Sequence, residues 1–455
     1  MTFPERFLWG GATSSYQIEG NVEANGAGPS IFEPFCRRPG AVFGGHSGSV
    51  ACDHYRRFAG DVGLMGQIGL RAYRFSVSWP RVIPGGVGRV NESGLAFYDR
   101  LVDALLGAGI QPWLTLYHWD FPQALQTQGG WLNRDSADWF AEFAGVVVDR
   151  LSDRVQHWMT INEPQVYIKF GHADAKIAPG LRLSLEEQLM ACHNTLRAHG
   201  RAVQVIRARA KLSPTVGWAV VGRTDFPASE SEADVEAARR GMMEIRDPDL
   251  WNNTWYADPV IQGTYPEDGL KVYRAAGASL PVVGAGDMEV ISQRLDFYGV
   301  NIYDGRCIRS GADGSPEVVP FPPGHPQNAF RWFVTPPALR WGPRFLHERY
   351  QLPIYITENG FAGLDWIATD GAVHDPQRID YTRRYLLELG RAITDGADVR
   401  GYFHWSLLDN FEWAEGYSQR FGLIHVDFAT QKRTLKDSAH WYRGVIESNG
   451  RTLSS

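Results

Sequence analysis

The amino-acid sequence predicts a (β/α)8 barrel occupying residues 1–455 as one catalytic-size unit, and three observations carry that expectation. Eight short runs rich in β-branched and aromatic residues recur along the chain, each followed by a polar or Gly-rich stretch and then a helical pattern. Several of these runs are apolar on both faces, as parallel strands are when helices cover the outside of a sheet. Polar and aromatic residues gather where the runs end, which is the end of a barrel that carries its working groups.

Taken in order, the first run, residues 7–14, is followed closely by Gln17, and the second, 71–79, holds Arg74 and Trp79. The third, 111–119, ends on His118 and Trp119, and the fourth, 157–164, on Asn162 and Glu163. The fifth, 214–222, adds no such group, whereas the sixth, 295–303, carries Asn301 and Tyr303. The seventh, 353–360, ends on Glu358 and Asn359, and the eighth, 399–409, holds His404 and Trp405 with Glu412 just beyond. Between the runs lie amphipathic helices, such as 137–151, where Trp139, Phe140, Phe143, Val147 and Leu151 recur at helical spacing, and the longer 185–210. Pro/Gly-rich passages at 81–88, 320–326 and 332–337 read as long connections within the unit.

Composition narrows the function classes. Hydrophobic residues make up 44% and charged ones 21%, a balance that supports a large core. The 51 acidic and 45 basic residues form no long single-sign run, so nucleic acid is not an expected partner. No apolar stretch is long enough to span a bilayer and no leader pattern is read at the N-terminus, so the expected location is cytoplasmic. Cys36, Cys52, Cys192 and Cys307 lack metal or framework spacing and are expected to be reduced thiols; sequons at Asn91 and Asn252 are then without consequence. No metal and no cofactor are expected, because His118 and Asp120 sit on one strand and His193 and His199 lie six apart on one helix, facing solvent or a neighbouring helix.

Glu163, in Thr-Ile-Asn-Glu-Pro, and Glu358, in Ile-Thr-Glu-Asn-Gly, are two carboxylates at separate strand ends. Alone, either is an ordinary turn residue or cap. Together on a barrel rim they are what glycosidic cleavage needs: one acid to protonate the leaving oxygen and one carboxylate to attack or assist at the anomeric carbon. The surrounding indoles and amides suit the C–H faces and hydroxyl edges of sugar rings. Most of the 16 tryptophans must nevertheless be core, Trp139 and Trp158 among them, which leaves Trp119, Trp332, Trp405 and Trp413 for a pocket.

These motifs, with Phe-Leu-Trp-Gly-Gly-Ala-Thr-Ser-Ser-Tyr-Gln-Ile-Glu-Gly from Phe7, Tyr-Arg-Phe-Ser-Val-Ser-Trp-Pro-Arg from Tyr73, Leu-Tyr-His-Trp-Asp from Leu116 and Trp-Ser-Leu-Leu-Asp-Asn-Phe-Glu-Trp from Trp405, resemble family 1 glycoside hydrolases nearly end to end. The resemblance implies a retaining β-glucosidase with Glu163 as acid/base and Glu358 as nucleophile, Arg74 and Tyr303 hydrogen-bonding the nucleophile, and Asn301 in the same shell. It further implies that Gln17, His118, Asn162, Glu412 and Trp413 hold the non-reducing sugar, with Trp119 close by, Trp405 as the floor and Trp332 as a wall on the leaving group. At the ~5.5 Å separation of a retaining pair, two carboxylates repel by ~3 kcal/mol at an effective dielectric of ~20, enough to raise one pKa by ~2 units. That repulsion is expected to keep Glu163 protonated.

Glu412 is expected, as a carboxylate, to repel a phosphate and to select an unphosphorylated glycone, with β-fucosides and β-galactosides as side substrates. Three stretches depart from the family pattern: 167–180, Arg331 and 361–370, all expected near the pocket mouth. The competing readings are a silent sugar-binding barrel, which intact Glu163 and Glu358 oppose, a metal-dependent hydrolase, which lacks converging ligands, and a 6-phospho-β-glycosidase.

Overall fold

The computed structural model describes residues 3–281 and 283–454; Met1, Thr2, Val282 and Ser455, which the expected 1–455 unit includes, lie outside them. Eight parallel strands close into a barrel: β1 Leu8–Ala12, β2 Ala72–Ser76, β3 Gln111–Tyr117, β4 His157–Asn162, β5 Thr215–Val220, β6 Tyr298–Asn301, β7 Ile354–Asn359 and β8 Val399–Trp405. Each lies within the run expected for it, trimmed where the chain turns into a loop. Closure is made by β1 against β8, with Leu8 opposite Gly401 and Ala12 opposite Trp405.

Alternation along the strands divides inside from outside. On β2, Ala72 and Arg74 enter the barrel while Tyr73 and Phe75 join the core beneath the helices. On β8, Phe403 and Trp405 face inward, and Tyr402 and His404 face Tyr442 on the helix Asp437–Glu447. His404 is thus a core histidine whose pKa burial pushes down to about 3. The barrel floor is an aromatic plug: Trp113 meets His157, Tyr355, Phe403 and Phe297 at ring distances of 4.2, 4.8, 5.2 and 5.5 Å.

The outer helices form as amphipathic covers. Ser136–Leu151 buries Phe140, Phe143, Val147 and Leu151 and leaves Trp139 half-buried, so Trp139 packs at the edge of the core rather than inside it. Leu185–Arg209 is the longest helix and starts on a capping box, Ser184 and Glu187 each bonding the other's backbone N–H. His193 and His199 on it are both buried: His193 bonds Tyr265 and Asp287, His199 bonds Thr160, and neither faces solvent. Two small sheets escape the run pattern because their strands are only three to five residues long: Asp225–Pro227 with Arg306–Ser310 and Pro316–Val319, and Ile424–Val426 with Arg433–Leu435. The first sheet rises above the C-terminal ends of β5 and β6 and shapes the mouth.

Candidate active site

At the C-terminal end of the strands lies one cavity of about 820 Å³, lined by His118, Trp119, Glu163, Asn301, Tyr303, Trp332, Glu358, Trp405, Glu412 and Trp413. Arg74, Gln17 and Asn162 stand directly behind that wall, each fully buried.

Backbone irregularity brings the two glutamates inward. The pairing of β4 with β5 slips between Met159 and Asn162, and that of β7 with both neighbours slips after Ile356. Such a slip breaks the two-residue alternation and re-aims side chains. As a result Asn162 and Glu163 both face the interior, and so do Thr357 and Glu358. Glu163 itself takes φ 43°, and the pocket residues Trp119 and Trp413 take φ 78° and 48°, left-handed conformations that non-glycine residues hold only where the surroundings enforce them.

Arg74 is the hub. Its guanidinium donates to Glu358 Oε1 at 2.5 Å, to the Thr357 carbonyl at 3.1 Å, to Asn162 Oδ1 at 2.5 Å and to Thr115 Oγ1 at 3.2 Å. Tyr303 donates its hydroxyl to the other oxygen of Glu358 at 2.6 Å. Asn301 donates to Glu163 Oε1 at 2.8 Å and to Asn162 Oδ1 at 3.2 Å, and its own carbonyl accepts from Thr357 Oγ1 at 2.5 Å. A continuous chain of hydrogen bonds therefore joins the two carboxylates through Arg74, Asn162 and Asn301.

Burial lifts the Glu358 carboxyl above the ordinary range, while Arg74 and Tyr303 pull it back. Glu163 is lifted further, first by burial and then by the charge of Glu358, with Asn301 pulling the other way. The first proton to enter the pair goes to Glu163. Its main cause is desolvation rather than the repulsion expected from the carboxylate pair alone. Glu412 also departs from expectation: burial, followed by Glu358, pushes it up to about 8, so at neutral pH it is mostly a neutral carboxyl that can donate as well as accept.

The network fixes the state of His118. Asn162 spends its carbonyl on Arg74 and Asn301, so its amide nitrogen is the group 3.1 Å from His118 Nε2, which must accept. Burial and then Arg74 hold the imidazole pKa well below its usual value. The proton therefore sits on Nδ1, which has no protein partner. Gln17 donates to Asn410 Oδ1, the Phe411 carbonyl and Glu412 Oε2, while Ser14 donates to its carbonyl oxygen; it orients Glu412 from behind. Trp119 donates its indole N–H to the backbone carbonyl of Asn162 and packs 4.5 Å from Trp413, and Trp405 lies nearly parallel to His118.

Of the three divergent stretches, 167–180 reaches the cavity through Phe170 and Ile177, and Arg331 is flanked by the lining residues Phe330 and Trp332. Residues 361–370 line none of it: Asp365 turns inward to a buried ionic cluster with Arg378 and Lys436, while Leu364 and Trp366 beside it are exposed. Thr115, Thr357, Ser14 and Asn410 are site residues that their side-chain types do not announce. No group of three or more His, Cys, Asp or Glu among the described residues could hold a metal ion.

The sequence model of glycosyl hydrolase family 1 matches residues 1–451. The chain is 46% identical to β-glucosidase A of Thermotoga maritima over 98% of each protein, and 37% identical to an aryl-phospho-β-D-glucosidase of Bacillus subtilis over 99% of this chain and 98% of that one. Among solved structures, the Thermotoga maritima β-glucosidase in complex with glucoimidazole superposes with a TM-score of 0.89 at 45% identity, covering 99% of both chains. A buried carboxylate pair at the C-terminal rim of an eight-stranded barrel, together with this end-to-end match, places the chain in glycosyl hydrolase family 1.

Proposed function

We propose that the chain works as one (β/α)8 catalytic domain that hydrolyses terminal β-D-glucosyl residues from unphosphorylated β-glucosides and short oligosaccharides, with β-fucosides and β-galactosides as side substrates. Glu358 is the nucleophile and Glu163 the acid/base of a retaining reaction. The carrying observation is that both carboxylates face one cavity with their proton affinities set apart, Glu358 held by a cation and a hydroxyl and Glu163 kept neutral by burial. Attack of a Glu358 oxygen on the anomeric carbon breaks the bond to the leaving oxygen, which takes the proton of Glu163. The ester removes the charge of Glu358, the affinity of Glu163 for a proton falls, and it then deprotonates the water that displaces Glu358.

The His118 imidazole and the Glu412 carboxyl supply hydrogen bonds for sugar hydroxyls, Trp405 and Trp413 supply ring faces, and Trp332 stands toward the leaving group. Gln17, Asn162 and Trp119 act by holding those groups in place. The relative named an aryl-phospho-β-D-glucosidase raises a second reading, a 6-phosphoglycoside. The cavity lining contains no lysine, its arginines Arg223 and Arg306 come from the loops after β5 and β6, and Glu412, charged or neutral, offers a phosphate no cation, so the neutral glycone is favoured. The four unpaired cysteines suit a reducing cytoplasm, and no described helix is long and apolar enough to cross a membrane. Hydrolysis of an aryl β-glucoside with excess chelator, compared with its 6-phosphate, tests the proposal. Turnover of the neutral glucoside at a kcat/KM at least tenfold higher is expected; preference for the phosphate, or loss with chelator, overturns it.

A further inference from the structure

Tyr303, whose hydroxyl meets Glu358, stands two residues past Asn301, the last residue of β6 to pair with a neighbouring strand. Its backbone is held from outside the barrel instead. On the helix Pro376–Thr394, Tyr381 and Tyr385 lie one turn apart, both buried, with their rings stacked at 3.9 Å. Both donate their hydroxyls to the Tyr303 carbonyl, at 2.7 and 2.8 Å. Each hydroxyl is itself oriented by a donor: the Thr335 backbone N–H reaches Tyr385 at 2.8 Å, and the Asn359 amide reaches Tyr381 at 3.1 Å. Asn359 follows the nucleophile in the chain, and its amide also donates to the Ile302 carbonyl at 2.8 Å while its own carbonyl accepts from Tyr402 at 2.9 Å. The Tyr381 hydroxyl therefore touches both the segment that carries Glu358 and the segment that carries Tyr303.

A carbonyl oxygen has two lone pairs, so these two hydroxyls fill the accepting capacity of the Tyr303 backbone. The phenol is rigid, and a small rotation of the backbone swings the hydroxyl at the far end of the ring. Its contact with Glu358, 2.6 Å long, is a bond to a charged acceptor, strong when aligned and quickly weakened when not. The helix that carries the two tyrosines is pinned one turn earlier, where Arg378 is fully buried among Asp365, Asp375 and the carbonyls of Phe361 and Arg420. We propose that Tyr381 and Tyr385 are positioning residues for the nucleophile, a pair of hydroxyls outside the barrel that set where the Tyr303 hydroxyl meets Glu358. The proposal rests on the assignment of Glu358 as the nucleophile.

The test is the pH profile of kcat/KM for an aryl β-glucoside in Tyr381→Phe, Tyr385→Phe, the double variant, Tyr303→Phe and the triple variant, beside the denaturant midpoint of each. Facing Glu358 are Arg74 from β2, Glu163 from the end of β4, Tyr303 from beyond β6 and Glu412 from beyond β8. The paired substitutions act on Tyr303 alone among them. Tyr303 favours the charged carboxylate, so a displaced hydroxyl raises the proton affinity of Glu358. The acid limb, below which the nucleophile is protonated, then moves to higher pH. A hydrogen bond to a charged group corresponds to about ten- to hundredfold in an equilibrium. Its complete loss in Tyr303→Phe should move the acid limb up by about one pH unit or more. The double variant should move it by about half a unit and lower kcat/KM at the optimum about tenfold, with each single variant shifting it in the same direction by less. On the Tyr303→Phe background the pair should add no further shift. An unmoved acid limb in the double variant, whatever its midpoint, or an equal further shift on top of Tyr303→Phe, overturns the proposal and leaves the β-glucosidase assignment intact. Should the double variant not fold, the two single variants decide by the same criteria. Failure of the unsubstituted protein to cleave the glucoside overturns the assignment and the proposal together.

Discussion

The two ends of one barrel interior are built from the same eight strands and do opposite things. At the floor, Trp113, Phe297, Tyr355 and Phe403 fill the lumen with rings, and burial keeps the His157 imidazole stacked on Trp113 and the Tyr355 phenol neutral. A few residues along the same strands, Arg74, Asn162 and Asn301 form a buried polar network with two carboxylates, Glu163 and Glu358, that repel each other. The floor stabilises by close packing, while the mouth holds buried charge that only a complete set of partners makes tolerable. Stability and catalysis are thereby separated along the barrel axis, as far as one side chain can be removed without disturbing the other end.

Four substitutions would break or sharpen that separation. The largest effect is expected from Glu358→Ala, which should lower kcat for an aryl β-glucoside by about 10⁴-fold or more with the circular dichroism of the folded protein retained; residual activity within a hundredfold of the parent would remove Glu358 from the nucleophile's role. Next, Glu163→Ala should slow breakdown of the ester by about 10²–10⁴-fold, and azide should restore turnover as the β-glucosyl azide. An α-azide would exchange the two assignments. At the other end, Trp113→Ala should cost about 3–5 kcal/mol of stability, read as a lower denaturant midpoint, with KM at low temperature little changed; a selective loss of kcat would mean that floor and mouth are coupled. The smallest effect is a pH shift. Asn301 donates to Glu163 and so favours its charged form. Asn301→Ala should therefore raise the proton affinity of Glu163 and move the alkaline limb of kcat/KM to higher pH, and movement toward lower pH would contradict the proposed acid.

Much of this was legible in the residues alone, for identifiable reasons. The strands announce themselves because a barrel buried on both faces demands continuous apolar runs, and Glu163, Glu358, Arg74 and His118 stand out because such groups are rarely placed at strand ends without purpose. Thr115 and Thr357 do not stand out, since threonine is an ordinary strand residue and its partners lie on other strands brought near only by closure. Phe170, Trp251 and Phe330 come from loops without periodicity, where an aromatic ring gives no hint of which way it faces. The protonation of Glu412, expected to be charged, depends on how completely it is desolvated, and desolvation belongs to the folded chain. Residues 361–370 differ in sequence yet stay off the cavity, with Asp365 held by Arg378 and Lys436.

The register slips that precede the two glutamates have a consequence for anyone rebuilding this chemistry. In a barrel of perfectly regular strands, one member of each adjacent pair, Asn162 with Glu163 or Thr357 with Glu358, would be turned outward toward the helices. Copying the side chains into an idealised scaffold would then deliver half of each pair to the wrong compartment. The transferable unit is the kinked backbone together with its two residues, and a designed barrel would have to inherit that defect before it could inherit the reaction.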